Sequence, residues 1–567
     1  MTRQVKFKSQ GSTLRAAMCV LLLSISCSGK VASSNSQGNP DDGTAGSQDG
    51  TTPGDGSASR GARLGDATAY GTTGPRRLSR HEYQASVSDL FGIDVTEHIE
   101  LLPADSSNPF DNDYTQQVGS AAWTEGAKAL ADRVAAAVLA DARLRARVIG
   151  CTPNGADDTK CLRSLATSLG RRVLRRPLTP AEIGRYVEVA SKVAATQKNA
   201  DAGLSVVMRA LLCDLEFLNR VEIGEPVPGD ARARRLTSHE VATRLSFLLW
   251  GTTPNDDLLA LADKNELLSA SQIRDAAATL LASPRAKAHV QRFFAQWLGY
   301  EHLPHSASLS ASLRRETDAL VGKILFEEKR PWVDLFKSTE TYVDDELAAR
   351  YGLPKPGKVA WVSYGNSGRR GILSHGSVLS NGAKFGDTSP VARGLYVLRR
   401  LLCQDVASPP PELQVDTDSA PKGKDPNACK ADRYKMHSEG GCAGCHKLID
   451  GIGFGLERYD HTGAFRTTEP GRSDCPIAGQ GNLVDVGAFA GPAELGERLL
   501  ASGLLESCFL NQLFQSMAGR PGSEADGPAR EALADVFVKS GHQFDSLLLD
   551  FVSANAFRNR LLQGDAQ

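Results

Sequence analysis

Three stretches of the chain open alike: "RRLSRHEY" from 76, "RRPLTPAEI" from 175 and "RRLTSHEV" from 234. In each, a hydroxyl residue (Ser79, Thr179, Thr237) stands three positions before a carboxylate (Glu82, Glu182, Glu240). This spacing is a capping box, in which hydroxyl and carboxylate reciprocally satisfy the free N–H groups at a helix start. Flanking apolar pairs, Leu78 with Tyr83, Leu178 with Ile183 and Leu236 with Val241, supply the hydrophobic staple. His81 and His239 fall in the first turn of two of these helices and read as surface or capping residues rather than a catalytic repeat. Downstream, apolar residues recur with helical period in "EGAKALADRVAAAVLADARLRARVI", "EVATRLSFLLW", "AHVQRFFAQWLGY" and "LESCFLNQLFQSMAG". Strand alternation is scarce, and "KVAWVSYG" from 358 is its best instance. A mainly α, multi-domain helical body is expected.

The 567 residues are too many for one core and imply about three or four units. Breaks are expected at 148–160, at "GEPVPGDARA" over 224–233, at 352–370 and at the Pro-rich 407–428. The last would separate the helical body from a C-terminal module. A formal net charge of −1 gives no global field to recruit nucleic acid, so no nucleic-acid partner is expected.

Arg3, Lys6, Lys8 and Arg15 precede the apolar run "AAMCVLLLSIS", an export signal too short to span a bilayer permanently. "LSISC" resembles a lipoprotein signal in which Cys27 is lipidated. Ser24 departs from the usual aliphatic residue, so plain cleavage leaving a periplasmic protein is the alternative. Residues 28–75 are Ser, Gly, Asp and Thr with little to bury, the composition of a flexible tether. The expected location is the cell envelope, with a lipid anchor, at the outer membrane, or free in the periplasm. Eleven cysteines suit an oxidising compartment. Cys151 and Cys161 flank a polar loop and could pair; Cys213 reads as a buried thiol; Cys403, Cys429, Cys475 and Cys508 allow three connectivities.

The segment richest in chemistry is "EGGCAGCHKLIDGIGFGLERYDHTGAFR", 439–466. In C-x-x-C-H, two thiols on one helical turn can form thioethers with haem vinyl groups while the adjoining imidazole reaches the iron. Cys442, Cys445 and His446 therefore read as a haem c site, with His446 as proximal ligand. A disulfide would not need His446, and the βαβ setting of thioredoxin-type motifs is missing. A zinc site could recruit Cys429 or Cys475, but no second ligand pair appears at the usual spacing. For the distal position Met517 and His461 are candidates, with His375 and Met436 as further alternatives; Met517 has the competing role of a core residue. Asp450, Glu457 and Asp460 lie among glycines and are expected in turns and caps rather than in acid/base work. "FDNDY" at 110 hints weakly at calcium without a full ligand loop.

Several stretches together resemble a known family. These are "RRLSRHEYQASVSDLFG" with "FDN", "RRVLRRPLTPAE", "LTSHEVATRLSFLLWGTTPNDDLLALA" with "FFAQWLG", "RRGILSHGSVLS" with "TSPVARGLYVLRRLL", the 442–466 segment, and "CFLNQLFQSMAGR". Their combination and order are similar to the secreted cytochrome-like multidomain proteins first recognised in planctomycetes, a series of domains of unknown function (1587, 1595, 1592, 1588 and 1585). The resemblance implies helical domains at 76–148, 161–197, 200–350 and 490–560, and a cytochrome c-like domain at 369–470 with Cys442 and Cys445 in the thioether positions. Gly451 stands where that family usually has proline. The family's function is uncharacterised, so it implies an architecture and no substrate. Three roles remain open: single-electron transfer to an unidentified redox partner, a haem peroxidase or oxidase, and a non-enzymatic binding scaffold with structural disulfides.

Overall fold

A computed structural model describes residues 74–117, 119–408 and 416–562. The export signal, Cys27, nearly all of the tether and residues 409–415 of the Pro-rich segment lie outside the described residues. The three expected helix starts are present as complete capping boxes. Ser79 Oγ accepts from the Glu82 N–H at 3.2 Å while Glu82 Oε2 accepts from the Ser79 N–H at 3.0 Å. Thr179 with Glu182 and Thr237 with Glu240 repeat the arrangement. The first and third helices, Arg80–Phe91 and Ser238–Trp250, stop at left-handed Gly92 and Gly251 (φ 70° and 67°), where the absent Cβ removes the steric cost. His239 pairs with Asp263 at 2.8 Å, and half-buried His81 lies near the Asp111–Arg292 pair, so the two histidines sit in unlike surroundings.

The fold is mainly α, and its helices share two large cores rather than one core per sequence domain. Helices Arg80–Phe91, Ala121–Ala140, Thr159–Val173, Pro180–Gln197 and Ala200–Leu212 close over Tyr83, Leu130, Leu165, Val207 and Phe217. The helix at 200–212 therefore packs with the preceding domains, not with the 200–350 body to which the sequence assigned it. A Cys151–Cys161 disulfide staples this lobe, as the spacing suggested.

The second core runs from Leu236 to Phe557 and takes in Phe110 from the N-terminal part. Phe509 is its hub, stacked on Trp332 at 4.4 Å between centroids and touching Phe294, Trp297, Phe537 and Phe544. Ile449, Ile452 and Leu456 of the C-x-x-C-H segment belong to the same core. The break expected at 407–428 thus does not bound a separate module, because the apolar face of the 443–454 helix is buried in the core that residues before 407 also build. The remaining cysteines resolve as Cys403–Cys508 and Cys429–Cys475, with Cys213, half-buried, outside any disulfide.

The expected strand at 358 appears as Ala360–Ser363, antiparallel to Glu340–Val343. The expected break at 224–233 is instead a hairpin, Glu225–Val227 with Asp230–Arg235, whose outer side takes up Asn559–Leu561 as a third strand. No helix among the described residues is long and apolar enough to cross a membrane.

Candidate functional site

A short turn, Gly440–Cys442, leads into the helix Ala443–Phe454. Ile449 and Ile452 face the core, which leaves Gly444, Cys445, Lys447 and Leu448 exposed and Cys442 and His446 half-buried. The helix is pressed against the Pro390–Tyr396 helix through two glycines. A Cβ on Gly453 would collide with the Pro390 carbonyl oxygen, and one on Gly394 with the Ile449 carbonyl oxygen. Cys442 and Cys445, three residues apart on one turn, are in no disulfide.

One turn beyond His446, Asp450 places Oδ1 2.9 Å from the His446 Nδ1, while its Oδ2 lies 2.9 Å from the Nδ1 of His437. The two imidazoles are 3.9 Å apart between centroids and tilted by 38°. Burial would raise the Asp450 pKa, but the hydrogen bonds and charge of the two imidazoles outweigh it and hold the carboxyl below its ordinary value. An ionised carboxylate can only accept, so each Nδ1 carries a proton toward Asp450, which leaves Nε2 as the ring nitrogen free to ligate. His446 is thereby set in the tautomer that ligates a metal through Nε2. Tyr434 packs edge-on against both His437 and Phe454 and braces the short turn Tyr434–Ser438 that carries His437.

Of the three acids expected in turns and caps, Asp450 does not fit: it lies within the helix and orients the two histidines. Glu457 is buried among Arg393 (3.1 Å), Lys430 (2.8 Å) and Arg466 (3.2 Å), with Asp387 paired to the last two. That network clamps the segments on either side of 407–428. Asp460 caps the following turn, accepting from the N–H groups of Thr462 and Ala464. In "FDNDY", Asp111 is held by both terminal nitrogens of Arg292 and by Gln296, and Asp113 caps Thr115, so the calcium hint dissolves into a salt bridge and a turn.

The distal candidates are scattered. Met517 lines a cavity with Arg76, Arg244 and His289. His461 stacks beside His305 at 5.6 Å. His375 is fully buried, with its Nδ1 3.0 Å from Thr317 Oγ1, and burial lowers its pKa to about 3. The imidazole that does meet His446 is His437, which the sequence did not single out; Met436, beside it in the chain, is exposed.

The donor set fits a c-type haem: two uncommitted thiols on one turn, an adjoining imidazole with Nε2 available, and exposed apolar Leu448 and Met436 on or near the helix that a porphyrin could cover. Zinc recruitment of Cys429 or Cys475 is closed by their mutual disulfide. His437, His446 and Asp450 nonetheless bring three ligand-type atoms within 4.8 Å of one another.

Four family models match the chain in succession, each described as a protein of unknown function: DUF1587 (PSD3) over 76–140, DUF1595 (PSD5) over 161–222, DUF1592 (PSD4) over 236–353 and DUF1588 (PSCyt3) over 369–469. Together they span more than half of the chain, and the cytochrome-named one contains Cys442, Cys445 and His446. No curated protein and no solved structure matches the chain. With four of the five expected domains matched, in the expected order, the chain belongs to the planctomycete-type cytochrome-like multidomain family.

Proposed function

We propose that the protein is a cell-envelope c-type haem protein that passes single electrons to a protein partner, with Cys442 and Cys445 as thioether residues and His446 as proximal ligand. The observation that carries this reading is the pair of uncommitted thiols on one turn beside an imidazole whose Nδ1 is held by Asp450. In attachment each S–H adds across a vinyl group, sulfur to one carbon and hydrogen to the other, with no net oxidation. Once bound, haem supplies a one-electron iron couple. Asp450 keeps the proton on Nδ1 and orients the ring; the packing of Ile449 and Ile452 fixes the helix that presents all three groups. The apolar N-terminal run and the 28–75 tether support export and a lipid anchor at Cys27, and with them a place at the outer membrane or in the periplasm.

The Asp450 carboxylate also favours a second reading, a peroxidase or oxidase, because a carboxylate on the proximal imidazole raises its basicity and favours ferric iron. Carbon monoxide binding by the reduced, haem-loaded chain separates the two. An electron carrier with both axial positions filled stays silent, whereas an open iron shifts its spectrum.

A further inference from the structure

Arg76 and Arg220 are direct partners in a two-stranded ladder, Arg76–Arg77 against Asn219–Arg220. Like charges placed opposite each other in a ladder repel, and this pair is also buried, at 6 % and 7 % exposure. Both line a cavity shared with Arg244, Arg520, Asn112 and Met517. The cavity holds about 60 Å³, room for a few waters or one small ion and too little for a benzene-sized molecule.

The carboxylates around it are largely committed. Arg244 grips Glu222 with Nε and Nη2, both at 2.7 Å, and Arg520 grips Asp526 at 2.6 and 2.9 Å. Among the described residues Arg220 has one ion pair, with Glu82, 3.4 Å from Nη2 and without a hydrogen bond, and burial pushes the Glu82 carboxyl up toward its neutral form; Glu222, already gripped by Arg244, acts on Arg76 and Arg220 through its charge. Among the described residues Arg76 forms no ion pair, and its Nε has no hydrogen-bond partner; the same holds for hydrogen bonds from Nε and Nη2 of Arg220. Those two nitrogens form one edge of the guanidinium, the edge that takes an oxyanion bidentately. Burying such donors unmatched is costly.

We propose that this cavity binds a small oxyanion, a carboxylate or phosphate group held by Arg76 and Arg220, and that its occupancy fastens the first lobe to the C-terminal helices. The walls come from both: Arg76 and Asn112 from the N-terminal part, Met517 and Arg520 from the far end of the chain, where Asn112 Nδ2 already donates to the Ser516 carbonyl at 2.8 Å. The site is independent of any haem. Phe247, Phe293 and Phe557 supply an apolar side, which suits a compact ion that sheds its water.

The test is thermal unfolding of the full chain at fixed pH and ionic strength, with chloride replaced stepwise by acetate or by inorganic phosphate. We expect the midpoint to rise by about 2–5 °C at saturation. The more effective anion tells an organic carboxylate from a free phosphate as the source. Arg76→Gln should weaken the apparent affinity at least about tenfold, as loss of a charge-assisted bond requires. Met517→Glu, which places a carboxylate in the cavity, should abolish the response even if Arg76→Gln does not fold. No rise with either anion in the native chain, or an undiminished rise in Met517→Glu, would overturn the proposal and leave a cavity that holds water only.

Discussion

Asp450 stands one helical turn after His446 and holds its Nδ1 at 2.9 Å, while its other oxygen holds His437. A single carboxylate thus sets the tautomer of the proposed iron ligand and anchors the turn that covers it. Replacing Asp450 by Asn should leave haem attachment intact, because no thioether residue changes. It should raise the reduction potential by about 60 mV, the one-electron equivalent of a tenfold loss of ferric preference. Potentiometric titration of the two haem-loaded proteins checks this; equal potentials would deny Asp450 its role.

The crossing of the Ala443–Phe454 and Pro390–Tyr396 helices depends on Gly453 having no side chain. Gly453→Ala should destabilise the apoprotein by about 3 kcal/mol or more, since backbone must move to admit the methyl group. Gly444→Ala, on the open side of the same helix, should stabilise it by about 0.5–1 kcal/mol through helix propensity. Urea denaturation of the two variants gives the contrast directly.

Much of this was legible locally and little of it at long range. The three capping boxes lie within a few residues of chain, so sequence alone placed them. That Cys442, Cys445 and His446 would come together at one helix start was legible for the same reason. His437 was not, because nothing in its spacing reveals that the Tyr434–Ser438 turn folds it over the helix. The hairpin at 225–235 was missed because "DARARR" shows no apolar alternation; besides its local partner Glu225–Val227, that strand pairs with Asn559–Leu561, over three hundred residues away. The Arg76 cavity is likewise assembled from distant stretches, and Met517, read from sequence as an iron ligand or core residue, packs against the second core and forms part of the cavity wall.

Glu316 is fully buried, accepting from Thr341 Oγ1 at 2.6 Å and Tyr351 Oη at 2.8 Å. Burial outweighs these hydrogen bonds and lifts its pKa to about 7. The folded carboxyl keeps its proton up to that point, whereas the unfolded one releases it near 4.5. Between the two values the fold binds more protons, so this group's contribution to stability falls as pH rises and levels off above about 7. Glu316→Gln should remove that slope and be more stable than the native chain at about pH 8, by up to about 3 kcal/mol. Denaturation midpoints across this range test the sign.

The Cys403–Cys508 disulfide closes a loop of 105 residues and ties the segment before 407–428 to the Leu504–Ala518 helix. The Cys403→Ser/Cys508→Ser variant should lose about 2–5 kcal/mol of stability yet still attach haem, because the thioether residues are untouched. Parallel unfolding and absorption measurements separate the two effects.

The central claim is that Cys442 and Cys445 attach haem covalently. The most direct measurement is the alkaline pyridine spectrum of the full chain, exported alongside a haem-attachment system and extracted with acid acetone. We expect the haem to stay with the protein and give a c-type spectrum, and the Cys442→Ala/Cys445→Ala variant to lose it. A native chain that yields no covalent haem, or a double variant that retains it, would contradict the assignment.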